Sequence, residues 1–357
     1  MAIRPLFVRV CAFAGAAVLL AANWPHVITA SNALEKGYVV EARRTLLGSL
    51  SSASVPAAET VRAYLQASHL SQGVQQDPDL LCHTRPEAHR LACRGLQSAL
   101  DGYGRQWVEG PDVPERFALE QGRDRHAMVA LEAGSGTAPM IIDTGSLATI
   151  LPRTLHGAAR HQVRETRVAN LGRLVDLALV RTAPLRLGQT DLHHWVAATA
   201  ATGFEEEGVL GLDMIYAMGG VSVLPEAGEV QFLHGHCPAA PEQRAQLING
   251  ALTALVKIDG QVHRALLDTG SVRSFVFNPA ARDRRMVVRS DFGDARLEGG
   301  FRESRVSLGA FTREVEVVHT TERQAFYPGT TALLGIDVLL AGRQFGVCFE
   351  PLRFWII

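Results

Sequence analysis

The pattern of apolar and polar positions divides the chain into a helical part and a β part. In the first hundred residues, apolar side chains recur at helical spacing in three stretches, near 33–50, 61–70 and 88–100. The segment from Ser51 to Pro56 interrupts this pattern. We therefore predict a small α-helical module, two or three short helices packed together, over residues 31–110.

From Phe117 onward the chain consists of short runs rich in Val, Ile, Leu and Thr, separated by Gly, Pro, Asp and Asn. Such runs predict β-strands. The candidate strands are residues 126–132, 139–142, 175–180, 194–199, 221–223 and 230–233. A polar, Pro-containing linker over 236–248 separates two such regions, so we predict β domains over 115–235 and 249–357.

The β region contains an internal repeat. The segment Met140–Ser146 reads Met-Ile-Ile-Asp-Thr-Gly-Ser, and Ala265–Ser271 reads Ala-Leu-Leu-Asp-Thr-Gly-Ser 125 residues later. An apolar-apolar-Gly-apolar-Asp segment at 209–213 recurs at 333–337, and a shorter match links 185–188 with 306–309. Three landmarks in the same order at nearly constant spacing indicate one supersecondary unit used twice.

Composition narrows the possible functions. Hydrophobic residues make up 47% and charged residues 20%, which is typical of a globular protein with ample core. A net charge of −1 without a Lys/Arg block argues against nucleic acid as a partner. The pairs His193-His194 and His234/His236 have no acidic or Cys residues at ligand spacing, and no Cys-x-x-Cys occurs, so we predict no metal and no cofactor.

The N-terminus has the layout of a secretory signal peptide over residues 1–30. Arg4 and Arg9 precede an apolar run, Val10–Ala22, and cleavage is expected after Ala30 or Ala33. An uncleaved membrane anchor is the alternative, but the apolar run falls short of the ~20 residues that span a bilayer. We therefore predict an exported protein, periplasmic or secreted, with a membrane association only if this segment stays uncleaved.

Four cysteines remain once that segment is removed: Cys82, Cys93, Cys237 and Cys348. In an exported chain an even number indicates disulfides, and four cysteines allow three connectivities. One interpretation joins Cys82 to Cys93 across a local loop and Cys237 to Cys348, which ties the linker to the last strand. Four free buried thiols are the alternative.

The duplicated Asp-Thr-Gly-Ser after an apolar strand, followed about 65 residues later by the apolar-apolar-Gly segment, resembles the aspartic peptidases. Each copy has the compact length of a retropepsin-like unit, and the covalent duplication is similar to pepsin. The resemblance covers residues 117–357. It implies a mainly β fold of two retropepsin-like closed β-barrel lobes in the pepsin-like bilobal arrangement, preceded by the helical module.

The resemblance implies that Asp143 and Asp268 are the catalytic pair. Each follows a buried strand end, and two close carboxylates cannot both ionise readily, so the pair should share one proton. Gly145 and Gly270 have no side chain and should let the two loops approach closely.

The same resemblance implies roles for the neighbouring residues. Thr144 and Thr269 should hydrogen-bond across to the opposite loop, and Ser146 and Ser271 should each hydrogen-bond their own Asp. The segments with Gly211 and Gly335 should pass behind the loops. Their following acids, at positions 213 and 337, are predicted to be structural turn or helix-cap residues.

A flap should cover the substrate in such enzymes. In the first lobe residues 168–174 lie at the expected place, and in the second lobe either 292–294 or 297–301 does. The predicted flap residues are Asn170, Leu171, Gly172, Gly299 and Gly300. No tyrosine occupies a flap position, which departs from pepsin.

The predicted function is that of a monomeric aspartic endopeptidase that hydrolyses peptides or proteins in an extended conformation, with an optimum on the acidic side of neutral. The alternative is a non-catalytic peptide-binding protein that retains the cleft. The helical module is either a propeptide or a partner-binding domain.

Overall fold

The computed structural model describes residues 30, 32–33, 36, 38–52, 107–121, 125–134, 136–170, 173–201, 203–239, 243–248, 250–281, 284–288, 295–349 and 351–357. Residues 1–29 of the predicted signal peptide, Cys82, Cys93 and the predicted helical stretches near 61–70 and 88–100 lie outside these residues. Within the described ranges, no helix has the length and apolar character needed to cross a membrane.

The described chain is mainly β, as predicted. Its α-helices are α1 (Val39–Ser52), α2 (Leu212–Ala217) and α3 (Ile336–Leu339), and its 3₁₀ helices are Arg153–Ala158 and Arg323–Ala325. The strands are β1 (Trp107–Glu109), β2 (Glu115–Ala118), β3 (Glu120–Gln121), β4 (Ala127–Ala133), β5 (Gly136–Ile142), β6 (Ala159–Asn170), β7 (Arg173–Thr182), β8 (Leu185–Leu187), β9 (Thr190–His193), β10 (Val196–Ala200), β11 (Gly208–Leu210), β12 (Gly220–Leu224), β13 (Glu229–Phe232), β14 (Ala245–Ile248), β15 (Ala251–Ile258), β16 (Gln261–Leu267), β17 (Phe275–Phe277), β18 (Arg284–Val288), β19 (Ala295–Leu308), β20 (Phe311–Thr320), β21 (Ala332–Leu334), β22 (Phe345–Cys348) and β23 (Arg353–Ile356).

The six candidate strands of the first β region are all present, as β4, β5, β7, β10, β12 and β13. The main difference in boundary is at His194, where the predicted strand begins two residues before β10. His194 has a φ of 54°, in the left-handed region, which a strand residue does not adopt. The strand therefore starts only at Val196.

Two strands lie outside the predicted β domains. The end of the predicted linker forms β14, which buries Leu247 and pairs with β15. The end of the predicted helical module forms β1, which pairs with β9 through Val108 and Leu192. Both are short edge strands, and β1 pairs with a strand far away in the chain, whereas β14 pairs with β15, which begins three residues after β14 ends.

The two copies of the repeat share one topology. In the first, β5 lies parallel to β11, and in the second, β16 lies parallel to β21. Ile150 bridges Ala198 in parallel and Val209 in antiparallel orientation. In the second copy β17 makes the same two kinds of pairing, parallel to β20 and antiparallel to β21. There the sheet closes into a ring, because β15 also pairs with β19.

A separate sheet joins the copies, in the order β2-β13-β12-β22-β23. Its middle pair is antiparallel: β12 comes from the first copy and β22 from the second, with Ser222 opposite Gly346. These two residues occupy equivalent positions of the repeat, so the approximate twofold axis that relates the copies passes between them. One hydrophobic core runs through both copies and this sheet, and it includes Ile142, Val221 and Phe345.

Helix α1 belongs to this core. It buries Val39, Ala42 and Leu46, whose spacing places them on one face of a helix. The backbone N–H of Leu352, between β22 and β23, donates to the carbonyl of Lys36, 2.9 Å away. The first predicted helical stretch is thus confirmed, and its apolar face is already covered.

A disulfide joins Cys237 to Cys348, which confirms that pairing. Cys348 ends β22 rather than the last strand, because β23 follows and pairs with it. The bond closes a loop with a sequence separation of 111 residues and attaches the segment after β13 to the sheet shared by the two copies.

We expect the variant Cys237→Ala/Cys348→Ala to lose about 2–5 kcal/mol of unfolding free energy, because a long loop is no longer closed in the unfolded chain. Urea denaturation followed by tryptophan fluorescence measures the loss. The variant Cys82→Ala/Cys93→Ala is the matched control and should lose less, since that loop is short. An unchanged urea midpoint for the first variant would contradict the structural role of this disulfide.

Candidate active site

Two strand ends deliver Asp143 and Asp268 to the same place. Asp143 directly follows β5 and Asp268 directly follows β16, after buried Ile142 and Leu267. The backbone N–H of Asp143 donates to the carbonyl of Leu210 at 3.0 Å, and that of Asp268 makes the equivalent bond to β21 at 2.9 Å. The parallel neighbour strand therefore fixes where each aspartate leaves the sheet.

The two carboxyl groups lie close together, each packed against the glycine of the opposite loop. The two glycines make this approach possible. A Cβ at Gly145 would lie 2.4 Å from Cγ of Asp268, and one at Gly270 would lie 2.3 Å from Cγ of Asp143. The predicted reason for glycine at these positions is confirmed, since any side chain would occupy the space of the opposing carboxyl group.

The threonines connect the loops reciprocally, as expected. The backbone N–H of Thr144 donates to Oγ1 of Thr269 at 3.0 Å, and the backbone N–H of Thr269 donates to Oγ1 of Thr144 at 3.2 Å. Each hydroxyl also donates across the interface, Thr144 to the carbonyl of Leu267 at 2.7 Å and Thr269 to that of Ile142 at 2.6 Å. Both side chains are buried, so each loop is fixed relative to the strand end of the other.

Ser146 hydrogen-bonds its own aspartate, as predicted, but through its backbone N–H, and neither serine does so through its hydroxyl. The hydroxyl of Ser146 donates to the carbonyl of Ala148 at 2.8 Å, and that of Ser271 donates to the carbonyl of Arg273 at 2.9 Å. Asp143 instead accepts the backbone N–H groups of Gly145 at 2.7 Å and Ser146 at 3.1 Å. The loop curls round its own carboxylate, so backbone groups occupy the positions that the hydroxyls would need.

The two aspartates differ electrostatically. Burial raises the pKa of Asp143, and this rise is opposed by the hydrogen bond with Asp268, by the backbone N–H groups of Gly145 and Ser146, and by the charge of His126. Burial also raises the pKa of Asp268, and the negative charge of Asp143 raises it further, to well above the ordinary value of 3.8, although the backbone N–H of Gly270, 3.0 Å away, opposes this rise. The pair therefore retains one proton over a range in which isolated carboxylates are ionised.

Gly211 and Gly335 lie behind the loops, as predicted. A Cβ at Gly211 would lie 2.5 Å from the carbonyl carbon of Ala148, and one at Gly335 would lie 2.6 Å from the carbonyl oxygens of Ser271 and Arg273. The apolar-apolar-Gly segments thus contact the backbone of the active loops directly.

Asp213 and Asp337 are structural, but they are not helix caps. The N-cap residues of α2 and α3 are the preceding glycines, without a side-chain hydrogen bond. Asp213 accepts the hydroxyl of Thr149 at 2.8 Å, and Asp337 accepts the hydroxyl of Ser274 at 2.6 Å. The Thr149 hydroxyl in turn accepts a hydrogen bond from the backbone N–H of Gly211 at 3.2 Å, and the Ser274 hydroxyl accepts one from that of Gly335 at 3.0 Å. Thr149 and Ser274 were missed in the sequence, although they too are 125 residues apart.

His126 is a second residue that sequence reasoning missed. It precedes β4, it is only 9% exposed, and its Nε2 lies 3.0 Å from the carbonyl oxygen of Gly270 in the opposite loop. The signal that could have found it is a comparison of the two copies, since the equivalent residue of the second copy is Ala251.

Only part of the flap prediction falls on described residues. β6 ends at Asn170 and β7 begins at Arg173, while Leu171 and Gly172 lie outside the described residues. Gly299 and Gly300 lie inside β19, so the segment 297–301 is a strand rather than a turn. A Cβ at Gly299 would lie 2.0 Å from the carbonyl oxygen of His319, so glycine is needed there for close strand pairing. The alternative segment 292–294 lies outside the described residues.

One histidine of each pair lies near a glutamate side chain. His193 lies 3.9 Å from Glu109 and His234 lies 3.7 Å from Glu115. Among the residues that the structure describes, no group of three or more His, Cys, Asp or Glu side chains has the arrangement of a metal site.

No protein-family model matches this sequence, and no curated protein matches it either. The chemistry of the site is therefore inferred from its own geometry.

We expect Gly145→Ala and Gly270→Ala each to lower the unfolding free energy by about 1–3 kcal/mol, because the methyl group would overlap the opposing carboxyl group. Chemical denaturation measures this change. Gly134→Ala is the matched control, since a Cβ there meets no atom within 4 Å. Equal stability of Gly145→Ala and Gly134→Ala would contradict the tight approach of the loops.

We expect Asp268→Asn to raise the melting temperature at pH 7 by about 2 °C or more and to have little effect near pH 3. The pKa of Asp268 is raised in the folded state, so its favourable contribution is complete below the unfolded value of 3.8 and is lost as the pH rises through the folded value. An asparagine keeps a hydrogen-bond donor towards Asp143 without the second charge. A shift of that size corresponds to ~1 kcal/mol.

Thermal unfolding between pH 3 and pH 8 measures this difference, with the exposed Asp112→Asn as the matched control. A stabilisation by Asp268→Asn that is the same at every pH would show that the second charge is not its cause.

Proposed function

We propose that the protein is an aspartic-type endopeptidase that hydrolyses peptide bonds with a water molecule held between Asp143 and Asp268. The observation that carries this proposal is the close approach of two half-buried carboxyl groups at equivalent positions of a duplicated loop, each against the glycine of the opposite loop. A carboxylate beside a protonated carboxyl group is the pair needed to remove a proton from water and to donate one to a carbonyl oxygen.

The residues divide this work according to their electrostatics. In this scheme Asp143 is the ionised partner and takes a proton from the water as its oxygen attacks the scissile carbonyl carbon, although both aspartates accept backbone N–H groups of their own loops. Asp268 gives its proton to the carbonyl oxygen, which forms a tetrahedral diol. When the carbon–nitrogen bond breaks, the proton on Asp143 passes to the leaving amine, and a hydroxyl proton of the diol returns to Asp268.

The hydrogen bonds around the pair support this role, because they hold the carboxyl groups in position without their moving during the reaction. The threonines link the loops, and the glycines with their supporting hydroxyls hold each loop from behind. We further propose that the two copies are retropepsin-like lobes of a pepsin-like enzyme, on the basis of their shared topology and the ring-like second sheet.

The proposed substrate is a peptide or protein segment in an extended conformation. The antiparallel hairpins β6–β7 and β18–β19 occupy equivalent positions in the two copies, and we propose that both act as flaps. Extended peptides bind to strand edges through backbone hydrogen bonds, so such hairpins suit a substrate of this shape.

We also propose an exported location, periplasmic or secreted, and a monomeric state. The disulfide between Cys237 and Cys348 supports the location, because such bonds persist in oxidising compartments. The signal-like segment over residues 1–30 points the same way.

We expect Asp143→Asn and Asp268→Asn each to lower kcat/KM by about 10²–10⁴-fold, since each removes one half of the acid–base pair. Hydrolysis of a peptide library, followed by mass spectrometry, measures the loss. Asp112→Asn, an exposed change of the same kind, should retain wild-type activity. A folded wild-type protein that binds peptides but cleaves none from pH 3 to pH 8 would favour the non-catalytic binding protein.

We expect a bell-shaped pH profile. Activity should fall at low pH as Asp143 becomes protonated, and at high pH as Asp268 loses its proton. Since burial and the charge of Asp143 raise the pKa of Asp268 well above 3.8, the alkaline limb should lie well above that pH. Initial rates across pH 3–9 locate both limbs. An alkaline limb at or below pH 4 would contradict the assignment of the shared proton.

A further inference from the structure

His126 makes a contact to the active loops that the repeat does not duplicate. The carbonyl oxygen of Gly270 can only accept a hydrogen bond, so Nε2 of His126 carries the proton and donates across 3.0 Å. The two residues are 144 positions apart and belong to different copies. The imidazole is almost fully buried, and a buried polar ring is stable only when its hydrogen bonds are made.

The equivalent position of the second copy carries no such group. Ala251, 125 residues after His126, is fully buried and has only a methyl side chain. The other parts of the site occur in both copies: the aspartates, the threonines, the glycines and the hydroxyl–carboxylate pairs behind them. His126 is therefore an addition to a site whose other parts follow the repeat.

The carbonyl that accepts the hydrogen bond from His126 belongs to Gly270, which lies against the carboxyl group of Asp143. A Cβ on Gly270 would lie 2.3 Å from Cγ of Asp143, so a small movement of Gly270 changes the space around that carboxyl group. A bond to the carbonyl of Gly270 thus fixes the second loop against the first aspartate. The first loop receives no matching bond from Ala251, which has no donor in its side chain.

The charges around His126 come from several elements. Asp143 and Asp268 lie on the two loops, Arg125 precedes His126 in the chain, and Glu120 lies on β3, which pairs with β4. The imidazole favours the ionised form of Asp143, in the same direction as the backbone donors to that residue. Both effects of His126, positional and electrostatic, act on the Asp143 side of the pair.

We propose that His126 is a positioning residue that holds the second active loop against Asp143 and makes the two halves of the carboxyl pair inequivalent. Its effect on turnover rests on the proposed peptidase function, whereas its effect on the loop does not. The proposal can therefore be tested both with and without catalysis.

The test compares His126→Gln with His126→Met, which are similar in size but differ in the donor. Hydrogen exchange by mass spectrometry on the full chain reads the peptide that contains Asp268–Ser271. We expect exchange in this peptide to be about tenfold faster in His126→Met and close to wild type in His126→Gln, because only glutamine can donate to Gly270. The exposed His236→Ala is the matched control and should exchange as wild type does.

With a cleaved peptide as substrate, His126→Met should lower kcat by about 10–100-fold with KM changed less than about threefold, and His126→Gln should restore most of kcat. Wild-type exchange in both variants would overturn the proposal, and so would equal acceleration in both, since the side chain would then only fill space. If wild type cleaves no peptide, the proposed function fails while the exchange result still decides the role of His126.

Discussion

Two half-buried carboxyl groups that repel each other when ionised lie close together in this protein, and much of the surrounding structure holds them there. Neither loop could come so close with a side chain at Gly145 or Gly270, because the space is filled by the opposing carboxyl group. Contacts outside the pair hold the two carboxyl groups close together. These contacts are the crossed threonine hydrogen bonds and the pairing of the parallel strands from which each aspartate emerges.

The repeat explains why so much of this arrangement could be predicted from the sequence. A residue required for close approach must be small in both copies, so Gly145 and Gly270 stand out in the alignment of one copy with the other. The strands next to them have an apolar pattern that depends on burial alone, and their positions were predicted well. The pairing of Cys237 with Cys348 was one of three connectivities, and only the structure distinguishes among them.

The features that were not predicted depend on geometry that residue types do not specify. A serine hydroxyl can turn to its own aspartate or to a nearby carbonyl, and the curl of the backbone decides in favour of the carbonyls of Ala148 and Arg273. Glycine suits both a hairpin tip and a crowded strand, and Gly299 serves the second purpose. His126 has no counterpart in the other copy, so a search for repeated residues passes over it.

The sheet that joins the copies has a consequence for the order of assembly during synthesis. β12 leaves the ribosome well before its partner β22, which lies more than 100 residues later in the chain. Each emerging aspartate also needs the other loop to complete its threonine hydrogen bonds. A nascent first copy can therefore fold most of its own strands, but it cannot form the carboxyl pair until the second copy has followed. The active site can therefore form only when both copies have been translated almost completely.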